Sequence, residues 1–279
     1  MIKLLIFLLF GSLAWNLSAD EELLLVDCSG GKMLLKKYFS DSFTSDQLDL
    51  PEDLQITVIE STNSDGSGLQ GNVICSAEVF STWPDKQKYR SKVYAFLPVV
   101  LAVPADCPLE NIAVEDLKRV YNGRIDNWAQ LGAPAQSLRI AGTAPESPEG
   151  RVFRKLVMQQ DLNSTQLPEP GRDILPDMLV CSNDIGAAAV VRSVPGVIVF
   201  GSMALQKNAS GKYKILKVNG IAPTPENIRN GQYPLVAAHI IYCRKDRVPA
   251  CFEAMSKFLE KYASGSGKFV PVKAKAPEK

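Results

Sequence analysis

Two kinds of hydrophobic spacing alternate along the chain. Continuous apolar runs bounded by turn residues, such as ELLLVDCSGG at 22–31 and LVAAHIIYCR at 235–244, are typical of buried strands. Apolar residues spaced by three and four, as in PACFEAMSKFLEKYAS at 249–264, are typical of amphipathic helices. Because the two patterns alternate, the sequence predicts an α/β protein with mainly parallel sheets flanked by helices.

The pattern places the individual elements as follows. Strands are predicted near 23–26, 54–61, 72–77, 94–103, 137–142, 197–200, 213–220 and 236–243. Helices are predicted near 33–43, 115–121, 151–160, 185–193 and 252–262. The polar, glycine-rich stretch STNSDGSGLQG at 61–71 predicts a loop.

The first residues have the pattern of a secretory signal peptide. Lys3 precedes an apolar run from Leu4 to Phe10, and the small residues of LSA at 17–19 fit a cleavage site before Asp20. The run is much shorter than the ~20 residues that span a bilayer. We therefore expect residues 1–19 to be removed and the mature protein to be periplasmic or secreted.

Composition narrows the classes of partner. Of 31 Lys and Arg only Lys3 precedes Asp20, so 30 basic residues balance 30 acidic ones in the mature chain. That balance argues against nucleic acid, which selects a basic face. With one His and no CxxC spacing among six Cys, neither a metal nor another cofactor is expected.

One segment carries a specific spacing of residues. VEDLKRVYNGRIDNWAQLG at 114–132 begins with a short helix whose apolar face holds Leu117, Val120 and Tyr121, and Asn122-Gly123 ends it. Its apolar, aromatic and glycine positions resemble those of a segment of bacterial periplasmic phosphate-binding proteins. The matching residues are Leu117, Val120, Tyr121, Gly123, Ile125, Trp128, Leu131 and Gly132.

Two later segments follow in the same family's order. SVPGVIVF at 193–200 is similar to a strand of the family, and GIAPTPENIRNGQYPL at 220–235 looks like the segment by which the chain returns to its first lobe. The resemblance implies a two-lobed periplasmic-binding-protein fold of type II with a ligand cleft at the hinge. Lobe one would comprise residues 20–105 and 232–279, and lobe two residues 106–231.

The resemblance also implies a function. Members of this family capture phosphate or a related small oxyanion and deliver it to an ABC permease in the inner membrane, so a monomer that binds rather than an enzyme is expected. A desolvated oxyanion needs many donors, which helix N-termini, hydroxyls and Arg supply. The candidate ligand-binding residues, taken from the loops after four strands, are Ser29, Gly30, Ser61, Thr62, Ser76, Glu78, Ser147 and Arg151.

The fourth of these loops departs from the family pattern. Where the family has Ser-Gly-Thr at a helix start, this chain has Ser147-Pro148-Glu149. Proline removes a backbone donor, and Glu149 adds negative charge where an anion should bind. Either the alignment slips here by one or two residues or the ligand differs from free phosphate. The alternative function is a module of the same fold that senses or binds another ligand.

Several of these candidate residues also have a purely structural explanation. Gly30 can serve only the geometry of a turn, Glu78 can be a surface residue, and Arg151 can be a solvated helix residue. An enzyme would use Cys28 as nucleophile with His239 as base, although a buried Cys and a strand His explain both. Cys28 and Cys75, at the ends of neighbouring strands, are expected to be either bridged or adjacent thiols.

Overall fold

The structure is a computed structural model that describes residues 22–27, 55–60, 73–77, 87–159, 178–209, 211–245 and 252–273. Within these ranges no helix is both long enough and apolar enough to cross a membrane. The expected signal peptide at 1–19, the helix near 33–43 and the loop at 61–71 lie outside them.

Six of the described strands form the first sheet. They are β1 (Glu22–Asp27), β2 (Gln55–Glu60), β3 (Val73–Ala77), β4 (Tyr89–Pro98), β12 (Val236–Arg244) and β13 (Val270–Pro271). Their order in the sheet is β13-β4-β12-β3-β1-β2. β1 pairs in parallel with β2 and β3, whereas β12 runs antiparallel to β3 and β4, and β13 antiparallel to β4.

Five described strands form the second sheet. They are β5 (Val100–Pro104), β7 (Arg139–Thr143), β8 (Leu179–Cys181), β9 (Val197–Gly201) and β10 (Tyr213–Ile215). Their order in the sheet is β10-β5-β9-β7-β8. β7 pairs in parallel with β8 and β9, and β5 runs antiparallel to β9 and β10. Two short strands, β6 (Asn111–Ile112) and β11 (Lys217–Val218), pair in parallel beside it.

The described helices lie between these strands. They are α1 (Val114–Tyr121), α2 (Pro148–Leu156), α3 (Asp184–Ser193), α4 (Ala204–Lys207), α5 (Pro225–Arg229) and α6 (Phe252–Ser266). The apolar spacing predicted α1, α2, α3 and α6 but not the short helices α4 and α5. A 3-10 turn, Trp128–Leu131, follows α1. The alternation of strands and helices is therefore found, but the sheets are mixed rather than mainly parallel. The antiparallel members are mostly strands that carry the chain between the sheets or close their edges.

The segment that carries the family spacing forms a compact corner on the second sheet. Asn122 caps the end of α1, and Gly123 follows with φ 76°. The buried indole of Trp128 donates from Nε1 to the carbonyl of Gly196, 2.9 Å away. Tyr121 is also buried and donates its hydroxyl proton to the carbonyl of Ala141 at 2.8 Å. The spacing of aromatic residues thus serves the core of this sheet.

The long apolar run near 94–103 forms two strands instead of one. β4 ends at Pro98, and the N–H of Val99 donates to the carbonyl of Leu235, 2.8 Å away. β5 begins at Val100 and already belongs to the second sheet. The chain therefore changes sheets before the crossing that the sequence predicted near Ala105. The residue bounds of the two lobes stay a prediction.

Candidate functional site

Three parallel strands of the second sheet end at the same edge. β7 ends at Thr143, which lies opposite Cys181 at the end of β8, and β9 ends close by at Gly201. α2 follows β7, and α3 follows β8. In open α/β sheets this edge is where ligands bind, because loops and helix N-termini converge there.

Ser147 is the predicted site residue whose surroundings are described most fully. It caps α2: its hydroxyl oxygen accepts from the N–H of Gly150 at 3.0 Å. Its own proton points to the carbonyl of Ala144, 2.6 Å away, and Thr143 Oγ1 lies at 3.0 Å. Pro148 occupies the first turn and has no N–H. The Ser147 hydroxyl and much of this helix end are therefore already engaged within the chain.

Glu149 lies in the same turn and is buried. Only 1% of the residue is exposed, and its Oε1 lies 3.3 Å from Nζ of Lys268. The backbone of Gly150 lies close to that of Ala144, and only a glycine fits there, since a Cβ would lie 2.2 Å from the carbonyl oxygen of Ala144. The negative charge that the sequence placed at this helix start is thus held inside the protein and is paired with an ammonium.

Asp184 supplies a second buried carboxylate at the same edge. It opens α3 behind the capping residue Asn183, whose side chain accepts from Gly186 N–H. Its two oxygens accept from the backbone N–H and the hydroxyl of Ser202, each at 2.8 Å. Oδ2 of Asp184 also lies 3.6 Å from Nζ of Lys268.

Lys268 joins the two carboxylates. It stands between α6 and β13, which belongs to the first sheet, so its side chain reaches from there to helices of the second sheet. Burial acts to lower the pKa of its ammonium, but the Glu149 and Asp184 carboxylates together outweigh burial and raise that pKa above its usual value. Lys268 is therefore positively charged throughout the physiological range.

The described part of the chain does not bring the other predicted ligand residues together at one site. Arg151 is half-buried in the first turns of α2, on the helix that Ser147 caps. Ser76 lies in β3, where its backbone pairs with Ile240 of β12. Five candidates lie outside the described residues: Ser29, Gly30, Ser61, Thr62 and Glu78. Their part in a ligand site stays a prediction.

His239 is buried in β12 at the level where β3 ends. Tyr94 OH lies 3.3 Å from its Nδ1, and Phe269 packs against the ring edge-on at 5.1 Å. Its Nε2 has no hydrogen-bond partner among the described residues. Burial lowers the pKa of the imidazole to about 4. Cys28, its hypothetical nucleophilic partner, lies outside the described residues.

The described cysteines and acidic residues form no metal centre. No group of three or more His, Cys, Asp or Glu within the described ranges is arranged to hold an ion. Cys107, Cys181 and Cys243 are thiols, and burial raises the pKa of each, which disfavours the reactive thiolate. The Cys28–Cys75 bridge stays a prediction, because only Cys75 is described.

Comparison with known families identifies the scaffold. The family described as "PBP superfamily domain" matches residues 76–265, well over half of the chain. The chain belongs to the PBP superfamily. The resemblance inferred from the spacing at 114–132 is confirmed by curated relatives of the same kind. The phosphate-binding protein PstS of Bacillus subtilis is 25% identical over 150 residues, which cover 54% of this chain and 45% of that protein.

A second PstS, from Borreliella burgdorferi, is 22% identical over 151 residues, which cover 54% of this chain and 53% of that protein. The chain thus matches about half the length of these curated relatives. Among solved structures, PstS of Borrelia burgdorferi has a TM-score of 0.66 at 15% identity, covering 91% of this chain and 100% of that one. A possible phosphate-binding protein of Planctomyces limnophilus gives 0.67 at 16%, covering 92% and 94%. These neighbours confirm the two-lobed α/β fold of the PBP superfamily.

Sequence reasoning missed Asp184, Ser202 and Lys268. Asn183-Asp184 before an apolar helix is a capping signal, but nothing local shows that the second carboxylate turns inward to Ser202. Lys268 begins the Lys- and Pro-rich segment KFVPVKAKAPEK at 268–279, whose composition predicts a fraying tail, whereas the structure has β13 at its start. Its role in this PBP superfamily member appears when two segments, 119 residues apart for Glu149 and Lys268, come together in space.

Proposed function

We propose that this chain is an exported solute-binding protein that captures a small oxyanion, phosphate in the first place, between its two lobes for an ABC permease. The observation that carries the proposal is the convergence of α2, α3 and Lys268 at the carboxyl ends of β7, β8 and β9. A ligand at this edge would contact groups from both sheets, which is what closure of two lobes around a solute requires.

The proposal includes the organisation expected from the sequence. Residues 1–19 serve as signal peptide, residues 20–105 and 232–279 form lobe one, and residues 106–231 form lobe two. The second sheet's β5 (Val100–Pro104) makes residues 100–104 part of the crossing. The protein works as a monomer in the periplasm or outside the cell, and it binds without catalysing a reaction.

A second candidate is a binding or sensing module whose ligand is not phosphate. The engaged Ser147 hydroxyl and the buried Glu149 favour it, because both lower the anion affinity of the α2 N-terminus. Lys268 offsets only part of the repulsion that a phosphate would meet there, because one ammonium serves both Glu149 and Asp184. The two candidates differ in the ligand and share the cleft.

Calorimetry with inorganic phosphate separates them. The protein is first unfolded and refolded to release any bound ligand, then titrated at low salt with phosphate and, separately, with sulfate. A phosphate concentration of about 100 times Kd should add ~2.7 kcal/mol to the free energy of unfolding. If millimolar phosphate produced no binding heat and no thermal shift, the phosphate proposal would be overturned and the second candidate would remain.

A variant tests whether binding occurs at α2. Ser147→Ala removes the cap of α2 and should weaken phosphate binding, because the helix start loses the hydroxyl that orders it. Ser193→Ala is the matched control, because Ser193 is exposed at the other end of a helix and donates to the carbonyl of Ala189 at 2.9 Å. Equal phosphate affinities of the two variants would show that the ligand lies elsewhere.

A further inference from the structure

Lys268 is anchored on one sheet and acts on the other. Directly after it, Phe269 is buried against His239 of β12, and Val270 pairs with Phe96 of β4. Its ammonium nevertheless contacts Glu149 and Asp184, which open helices of the second sheet. The position of this charge is therefore set by the first sheet, whereas its two partners belong to helices that flank the second sheet.

The charges at this junction do not cancel. Glu149 and Asp184 carry two negative charges and Lys268 carries one positive charge, which leaves a net charge of −1. The two carboxylates are almost fully buried, with 1% and 6% of their side chains exposed, whereas 40% of the Lys268 side chain is exposed. The Lys268 side chain is therefore the most exposed of the three.

An anion at this edge needs that cation. Pro148 has no N–H, and the N–H groups of Gly150 and Arg151 already donate to Ser147. An ammonium has three N–H donors, and the structure records two carboxylates against that of Lys268. One N–H for each carboxylate leaves a third N–H for a further oxygen. The positive charge of Lys268 also offsets the repulsion between an anion and Glu149.

We propose that Lys268 is the specificity-determining cation of the ligand site, which lets an oxyanion bind beside Glu149 and Asp184. The inference rests on the proposed function, because it assigns the anion's principal charged partner within the same cleft. In the same inference Glu149 weakens anion binding by charge repulsion, and Lys268 offsets that repulsion.

Charge variants of the full mature chain test the inference by titration with inorganic phosphate. Lys268→Gln makes the cluster −2 and should weaken phosphate binding roughly tenfold or more. Glu149→Gln makes it neutral and should strengthen binding by a similar factor. Lys268→Arg keeps the charge and should stay close to the unmodified protein. Lys261→Gln, on the exposed face of α6, is the matched control and should change nothing.

The double variant Glu149→Gln/Lys268→Gln separates contact from net charge. It restores the −1 of the unmodified protein and avoids leaving both buried carboxylates without their cation, so it also serves if Lys268→Gln fails to fold. A contact between Lys268 and the anion predicts that the double variant binds roughly tenfold more weakly than the unmodified protein, although the two have the same net charge in this cluster. Equal affinities of the double variant and the unmodified protein would overturn the inference.

Failure of the inference can be told from failure of the proposed function. If the unmodified protein and Lys268→Gln bind phosphate equally, the function stands and the inference is overturned. Another outcome is that the unmodified protein does not bind phosphate, Glu149→Gln binds it, and the double variant Glu149→Gln/Lys268→Gln does not. Phosphate import is then overturned and the inference is supported. If no variant binds phosphate, both are overturned.

Discussion

Asp184 and Ser202 are joined by two hydrogen bonds, one to the backbone N–H and one to the hydroxyl of Ser202, both 2.8 Å long. Ser202 directly follows β9, and Asp184 begins α3, so the pair ties a helix start to a strand end. Both residues are buried. The start of α3 is therefore held against the end of β9.

Removal of the Asp184 carboxylate should loosen that edge. Asp184→Ala leaves the buried N–H and hydroxyl of Ser202 without their acceptor and should lower the free energy of unfolding by about 2–4 kcal/mol. Asp184→Asn keeps one carbonyl oxygen and should cost less. Urea denaturation measures both. The control Asp126→Ala, at an exposed position, should stay within ~0.5 kcal/mol; an equal loss there would refute the assignment.

The corner around Trp128 should contribute to stability through one hydrogen bond as well as through packing. Trp128→Phe removes the bond from Nε1 to the carbonyl of Gly196 and part of the ring volume, and should cost about 1–3 kcal/mol. The backbone N–H of Arg139 still reaches the same carbonyl at 3.0 Å, which limits the loss. Trp128→Ala should cost more, about 3–5 kcal/mol. Thermal unfolding of the two variants orders the effects; a larger loss for Phe would contradict this account.

His239 should make the protein less stable in mild acid. Its folded pKa of about 4 lies below the ordinary value of 6.5, so the unfolded chain binds the proton first as pH falls. The contribution of the neutral imidazole to the free energy of unfolding is fully present above pH 6.5 and is lost progressively down to about pH 4. The loss reaches about 2 kcal/mol at pH 5.

This chain has a single His, so the effect can be isolated. Free energies of unfolding at pH 7 and pH 5 should differ more in the unmodified protein than in His239→Gln, which does not titrate in this range. The comparison between the two proteins removes the contribution of the carboxylates. The same pH dependence in both would show that the imidazole is not held neutral.

Two neighbouring glycines should respond in opposite directions to Ala. Gly267 has φ 74° in the turn before Lys268, so Gly267→Ala should cost about 1–2 kcal/mol. Gly265 lies in α6 with open space where a Cβ would stand, so Gly265→Ala should add up to ~1 kcal/mol. Differential scanning calorimetry of both variants checks the pair. Destabilisation by both would mean that α6 does not continue to Ser266.

The helices and most strand cores could be predicted, because each leaves a local periodic signal. α1 and its termination at Asn122-Gly123, and α6 with its apolar stripe, follow from spacing and capping alone. The mixed pairing of the sheets could not, since the direction of a neighbouring strand depends on which distant segment docks beside it. The break at Val99 could not be predicted for the same reason, because its N–H donates to the carbonyl of Leu235, far along the chain.

For the candidate site, the sequence pointed to the place and left the partners undetermined. Ser147 and Glu149 could be read as a helix start that departs from the family pattern. That Glu149 is buried, and that Lys268 neutralises it, depends on a contact between residues 119 positions apart.

The sequence by itself determined the scaffold, because apolar periodicity, capping residues and the spacing at 114–132 act over a few turns of chain. Only the tertiary structure decided the electrostatics of the candidate site. Charges interact through space, and the energy of a carboxylate depends on how deeply it is buried and on which cation reaches it. Glu149, Asp184 and Lys268 come from three separate segments, so their meeting is a property of the folded chain.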